Sequence, residues 1–145
     1  MVAITRIGAH IKTGDRPQAG TNGHVYLGIG GREFRLESEG PDFGRNTERT
    51  YGLGESVSGD TLVIDPEHHN DPRVDYVLIS EFLDLFPVYI RFETFGAPPS
   101  DWNLESATIT VQTHAAVLAT YQNLGGSNNL WLGNNFGKYC YLLKQ

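Results

Sequence analysis

The tightest constraint in this chain is a period-two pattern that repeats on both sides of one turn-rich loop. Ile7, Ala9 and Ile11 alternate with Gly8, His10 and Lys12, and beyond the loop Val25, Leu27 and Ile29 alternate with His24, Tyr26 and Gly28. Successive strand side chains point to opposite faces, so the pattern predicts half-buried strands over residues 5–12 and 24–29. The segment between them is dense in Gly, Pro, Asp, Asn and Thr. Gly accepts positive φ, Pro pre-sets φ, and Asp and Asn hydrogen-bond their own backbone, so the chain turns here. These residues also carry oxygens: the Asp15 carboxylate, the Thr21 hydroxyl, the Asn22 amide, and the Ala19 and Gly20 carbonyls, which can turn toward a common point. A hard cation such as calcium takes that kind of donor set. The plainer alternative is that Asp15 and Asn22 cap the loop through Asx-turns, with no metal.

Further strand signals follow in order. Gly30-Gly31 predicts a tight hairpin into residues 32–36, where Phe34 and Leu36 alternate with charge. Residues 61–64 and 74–79 read as strands, 82–86 as a short apolar piece, and Val88, Ile90 and Phe92 alternate with Tyr89, Arg91 and Glu93. Ala107, Ile109 and Val111 alternate with threonines and Gln112, and residues 115–118 with Tyr121, 130–133 and 138–143 close the chain. With 17 Gly and 7 Pro among 145 residues, many turns and few long helices are expected. Residues 38–73 are the least regular part. Their polar loop with His68 and His69 lacks the central Gly and closing Glu of an EF-hand, and adjacent histidines point apart, so a solvated loop is the expectation.

Thr13-Gly14-Asp15, a short spacer, Ala19-Gly20-Thr21-Asn22 and a strand closing on Gly30-Gly31 resemble the opening signature of PLAT (LH2) domains. These are the β-sandwich modules of lipoxygenases, lipases and polycystins. Pro99-Ser100-Asp101-Trp102-Asn103-Leu104 is similar to the family's Pro-x-Asp-Trp-x-Leu segment, and the Trp131-Leu132 turn and last apolar strand resemble its closing elements. In the middle, Asp75-Tyr76-Val77 fits the spacing of the family's Asp-x-Phe strand; a rival placement sets residues 43–51 there, with Arg49 at the Asp position. The resemblance implies an all-β chain: a single antiparallel sandwich of about eight strands (C2-like) over residues 1–145, with an irregular insertion around 38–73. It implies calcium as cofactor, held by Asp15, Ala19, Gly20, Thr21 and Asn22, by Asp101 from a facing loop at the same end, and by Asp75.

The function implied is a non-catalytic, calcium-supported module that docks on a membrane lipid surface or a partner protein. Tyr51, Leu53, Phe95 and Trp131 lie near turns and are the apolar candidates for that contact. The alternative from another class is a carbohydrate-binding sandwich with structural calcium, in which Tyr26, Tyr76 and Tyr89, on polar-facing strand positions, stack on sugar rings. Enzyme signatures are missing: no Gly-x-Ser-x-Gly elbow, no His-Glu-x-x-His and no phosphate loop, leaving a carboxylate-based hydrolase or lyase as the residual catalytic option. Cys140 has no second cysteine to pair with and is expected to pack as a small hydrophobe. Residues 1–105 sum to −8 and residues 106–145 to +2, which provides no basic footprint for nucleic acid. An acidic body also needs a bound cation to approach an anionic membrane. No apolar run reaches the length of a membrane span, and the first residues lack a signal-peptide pattern. A cytoplasmic, soluble protein is therefore expected unless the chain is trimmed.

Overall fold

A computed structural model describes residues 1–64, 70–74, 76–114, 116–123 and 130–145. The strands are β1 (Arg6–Thr13), β2 (His24–Ile29), β3 (Arg32–Arg35), β4 (Glu48–Gly54), β5 (Thr61–Leu62), β6 (Tyr89–Glu93), β7 (Trp102–Gln112), β8 (Val117–Gln122), β9 (Trp131–Leu132), β10 (Tyr139–Tyr141) and β11 (Leu143–Lys144). They form a seven-stranded sheet of order β11-β8-β7-β1-β4-β5, with β9 on β7, and a four-stranded sheet of order β10-β6-β2-β3. The all-β sandwich that the resemblance implies is what the described residues form.

Register explains the core. Ile7, Ala9 and Ile11 of β1 sit opposite Val111, Ile109 and Ala107 of β7, and Val25 and Leu27 of β2 sit opposite Phe92 and Ile90 of β6. All ten are essentially inaccessible and belong to one cluster between the sheets. The Gly30-Gly31 hairpin forms as expected, both glycines at positive φ (60° and 80°), the pair of values a two-residue turn between twisted strands requires. Nearly all pairings are antiparallel, so the direction of each strand fixes where its connection lies. Loops 14–23, 36–47, 94–101 and 133–138 gather at one end of the sandwich.

Two sequence expectations fail in the middle. The segment read as irregular contains β4, seven residues paired with β1 along its length, whereas the expected strand at 61–64 is only the two-residue β5, parallel to β4. β4 shows few apolar residues because its outward positions are cleared for a charged pair. Gly8 and Gly52 face each other across β1 and β4, and the Arg6 guanidinium lies over them, bound to Asp60. A Cβ on Gly52 would fall 2.1 Å from the Asp60 carboxylate. Conversely, the described residues among 74–79 carry no strand. Asp71 receives the Arg73 N–H and guanidinium, the Leu78 N–H turns to the Pro72 carbonyl, and only Ile79 makes a bridge, to Ala3. The apolar piece at 82–86 includes a short 3-10 turn, Ser80–Asp84.

Candidate functional site

The loop end is built by lacing the β1–β2 connection onto β7. Trp102, the first residue of β7, is fully buried against Phe43 and Phe92, with ring centroids 5.2 and 5.6 Å away, and so lies inside the core rather than at its edge. Its indole N–H donates to Thr13 Oγ1 at 2.9 Å. The Gly14 N–H donates to the Asn103 carbonyl and the Asn103 N–H to the Ala19 carbonyl, at 2.9 and 3.0 Å. Thr21 reaches two other loops: its N–H bonds the Phe43 carbonyl, and its hydroxyl lies 2.8 Å from the Ser100 hydroxyl while accepting the Gly23 N–H. Gly20 is wedged against the 43–45 loop, where a Cβ would stand 2.7 Å from the Arg45 backbone nitrogen.

These contacts bring some of the sequence-named residues together. Gly20 and Asp101 line one cleft of about 480 Å³ with Gln18, Pro98, Pro99, Ser100 and Trp131. Gly20, Thr21 and Asn22 line a second beside it, with Ser100 again in its wall. Other groups are turned elsewhere. The Asp15 carboxylate accepts from Arg45 Nε at 2.9 Å, the Ala19 carbonyl serves Asn103, and the Asp101 carboxylate rests against Gly133, where a Cβ would fall 1.9 Å from it. Among the described residues no group of three or more His, Cys, Asp or Glu side chains is gathered as a metal centre. Asp75, like His68 and His69, lies outside the described residues. By chemistry the Asp101, Gly20, Thr21 and Asn22 oxygens suit a hard cation. Asp15 fits the set only by leaving Arg45, and an exposed pair of that kind holds by about 0 to 1 kcal/mol.

The apolar candidates separate cleanly. Tyr51 and Leu53 are fully buried, Tyr51 donating from its hydroxyl to Asp42 at 2.8 Å, so neither can contact anything outside. Phe95 is 60% exposed and meets His24 edge-on. Trp131 stacks on Phe136, itself half exposed, at 6.3 Å and 23°. Sequence reading missed Phe136, although its place in the turn between β9 and β10 was the available signal. Pro98, Pro99 and Trp131 thus give the larger cleft an apolar rim that Phe136 extends. Phe95 stands exposed on the 94–101 loop, which the Thr94–Asn134 hydroxyl–amide bond of 3.2 Å ties to the 133–138 loop.

Of the three tyrosines, Tyr26 and Tyr89 share the outer face of the four-stranded sheet, with Arg91 over the Tyr26 ring at 4.1 Å. Tyr76 stands 82% exposed in the segment before the 3-10 turn. Cys140, in β10, packs against the core, and burial pushes its thiol pKa up, away from nucleophilic use.

A two-sheet sandwich with clefts at one loop end defines a fold class, and solved structures share it. The chain superposes on alpha-toxin from Clostridium absonum with a TM-score of 0.58 and 22% identity, over 97% of this chain and 32% of that one. It superposes on Clostridium perfringens alpha-toxin from avian strain SWCP at 0.52 and 18%, over 99% and 31%. For an engineered lipoxygenase (LOX) variant the values are 0.56 and 16%, over 97% and 16%. These likenesses show a shared β-sandwich fold, in agreement with the fold implied by the loop signature's resemblance to PLAT (LH2) domains. The chain spans about a third of the toxins and a sixth of the lipoxygenase. No protein-family model and no curated protein sequence matches it. No helix among the described residues is long and apolar enough to cross a membrane.

Proposed function

We propose that this chain is a non-catalytic module that docks on a lipid surface through its loop end, with calcium bound in the loops. The observation that carries the reading is the grouping of exposed Phe95, Phe136 and half-buried Trp131 on loops that surround oxygen-lined clefts. Aromatic rings favour the boundary between headgroups and hydrocarbon, and exposed aromatic side chains gathered on loops at one end suit a contact with it. Calcium held by Asp101, Gly20, Thr21 and Asn22, with Asp15 turned from Arg45, would supply the positive charge that an acidic body lacks against anionic lipid.

The test uses the protein's two tryptophans, because Trp102 is inaccessible and Trp131 is in the rim. Vesicles of phosphatidylcholine with and without phosphatidylserine are added in calcium and in EDTA, and tryptophan emission and co-sedimentation are followed. A blue shift and sedimentation are expected in calcium, both reduced about tenfold or more by combined Phe95→Ser and Phe136→Ser, which remove two buried aromatic contacts. Emission and sedimentation unchanged by every vesicle would rule the reading out.

A further inference from the structure

We infer that a second site, on the four-stranded sheet and away from the loop end, takes one ring of a neutral glycan. A groove of about 230 Å³ opens beside the Gly30-Gly31 hairpin, lined by Tyr89 and Phe86 with Glu33 and Arg32. Both rings rest on bare backbone. The phenol end of Tyr89 crosses Gly28, where a Cβ would stand 2.1 to 2.6 Å from three ring carbons, and Phe86 lies 3.0 to 3.1 Å from the equivalent point on Gly31. Phe86 is 45% exposed, and among the described residues no strand covers this face of the sheet.

A sugar ring has an apolar face of C–H groups and a rim of hydroxyls, so its site needs an aromatic surface with fixed polar groups at the edge. Glu33 is such a group. It accepts from the Tyr89 hydroxyl at 2.8 Å and from Arg91 Nε and Nη2 at 2.9 and 2.7 Å, while Arg91 also pairs with Glu93. Tyr139, opposite Arg91 in β10, meets Tyr89 edge-on at 5.3 Å and steadies it from the other side. Ring and carboxylate are thereby locked before a ligand arrives, which removes most of the ordering cost of binding. The carboxylate oxygens keep acceptor capacity for a sugar hydroxyl. Glu33 and Glu93 are balanced by Arg91 and Arg32 around the groove, so no net charge selects an ionic ligand, which directs the choice to a neutral glycan.

The experiment is an amide NMR titration of the whole chain with three soluble hexamers: β-1,4-linked glucose, α-1,4-linked glucose and β-1,4-linked N-acetylglucosamine. Saturable millimolar binding of at least one is expected, with shifts centred on Gly28, Gly31, Glu33 and Tyr89. Tyr89→Ala should weaken it about tenfold, the scale of one lost stacking contact, and Tyr89→Phe should retain most of it. Phe86→Ser, at an exposed ring, gives an independent weakening if Tyr89→Ala fails to fold. Phe95→Ser with Phe136→Ser should leave sugar binding intact, so vesicle and sugar results stand apart. Absence of shifts with all three hexamers, shifts centred on the 94–101 loop, or affinity indifferent to both Tyr89→Ala and Phe86→Ser would each overturn the assignment.

Discussion

The Trp102 indole donates its N–H to Thr13 Oγ1 at 2.9 Å inside the core, joining the last residue of β1 to the first of β7. The bond stands where the 14–23 loop leaves the sheet and the 94–101 loop enters it, so one buried contact sets the relative placement of both. Thr13→Val keeps the shape and leaves the indole N–H without its acceptor, a loss of about 1–3 kcal/mol. A urea midpoint within error of the parent protein would show that the contact does not hold the loops.

Arg6 and Asp60 form the most enclosed ion pair described, with side chains 8% and 3% exposed. Two bonds join them, and Arg6 also donates to the Glu55 carbonyl and to Gln112. Removing one partner strands the other, so Arg6→Ala should destabilise by roughly 3–5 kcal/mol. Urea unfolding of Arg6→Ala against the parent measures this.

The same pair sets an acid response. Burial alone would raise the Asp60 carboxyl, but the Arg6 guanidinium, the Val57 N–H and Arg6's charge together hold it below its ordinary 3.8. Its folded value is depressed, so its stabilisation is complete above about 3.8 and is lost as pH falls through the lower folded value. Asp71 beside Arg73 and Glu33 beside Arg91 act with the same sign. Urea midpoints between neutral pH and about pH 2 should fall for the parent protein and fall less steeply for Asp60→Asn, the group that titrates in this range being gone.

The paired strands around the loop, the glycine hairpin and the strand from Val88 onward were readable because each buries one apolar face and alternates. β4 was not, since Gly52 and Gly54 are spaces for other groups, and a missing side chain carries no periodic signal. Residues 74–79 misled for the opposite reason: an apolar run stands exposed at Tyr76 and Val77 because Asp71 and Arg73 turn the chain first. At the site, the shared end of the 14–23 and 94–101 loops was legible from the resemblance. The Asp15–Arg45 pair was not, because Arg45 arrives from a loop thirty residues away in sequence. That Tyr26 and Tyr89 face outward followed from strand alternation; that they share one sheet face did not, because it depends on the pairing of β2 with β6. Tyr76 depended on an expected strand that the described residues around it do not carry.

Gly20 is where two loops touch. Gly20→Ala would place a methyl carbon 2.7 Å from the Arg45 nitrogen and 3.1 Å from Gly44, all of it backbone that cannot rotate away. The 14–23 and 36–47 loops must separate, at about 1–3 kcal/mol for an overpacked contact. Thermal denaturation should show the loss, and amide shifts should spread through both loops. Shifts confined to Gly20 itself would mean that the loops are not in contact in solution.

Arg45 decides how a cation competes for Asp15. The two side chains are each more than half exposed, so Arg45→Ala should change stability in EDTA by less than about 1 kcal/mol. If Asp15 is a calcium ligand, the same substitution removes a competing cation and should lower the calcium concentration needed for a given rise in melting temperature. At about a hundred times its dissociation constant calcium would add roughly 2.7 kcal/mol to either protein. Asp15→Ala should weaken or abolish the rise. Melting curves across a calcium series for the parent, Arg45→Ala and Asp15→Ala separate the cases: a calcium response equal in all three places the ion away from Asp15, and no response in any of them leaves the loop as a turn closed by Asp15 and Arg45.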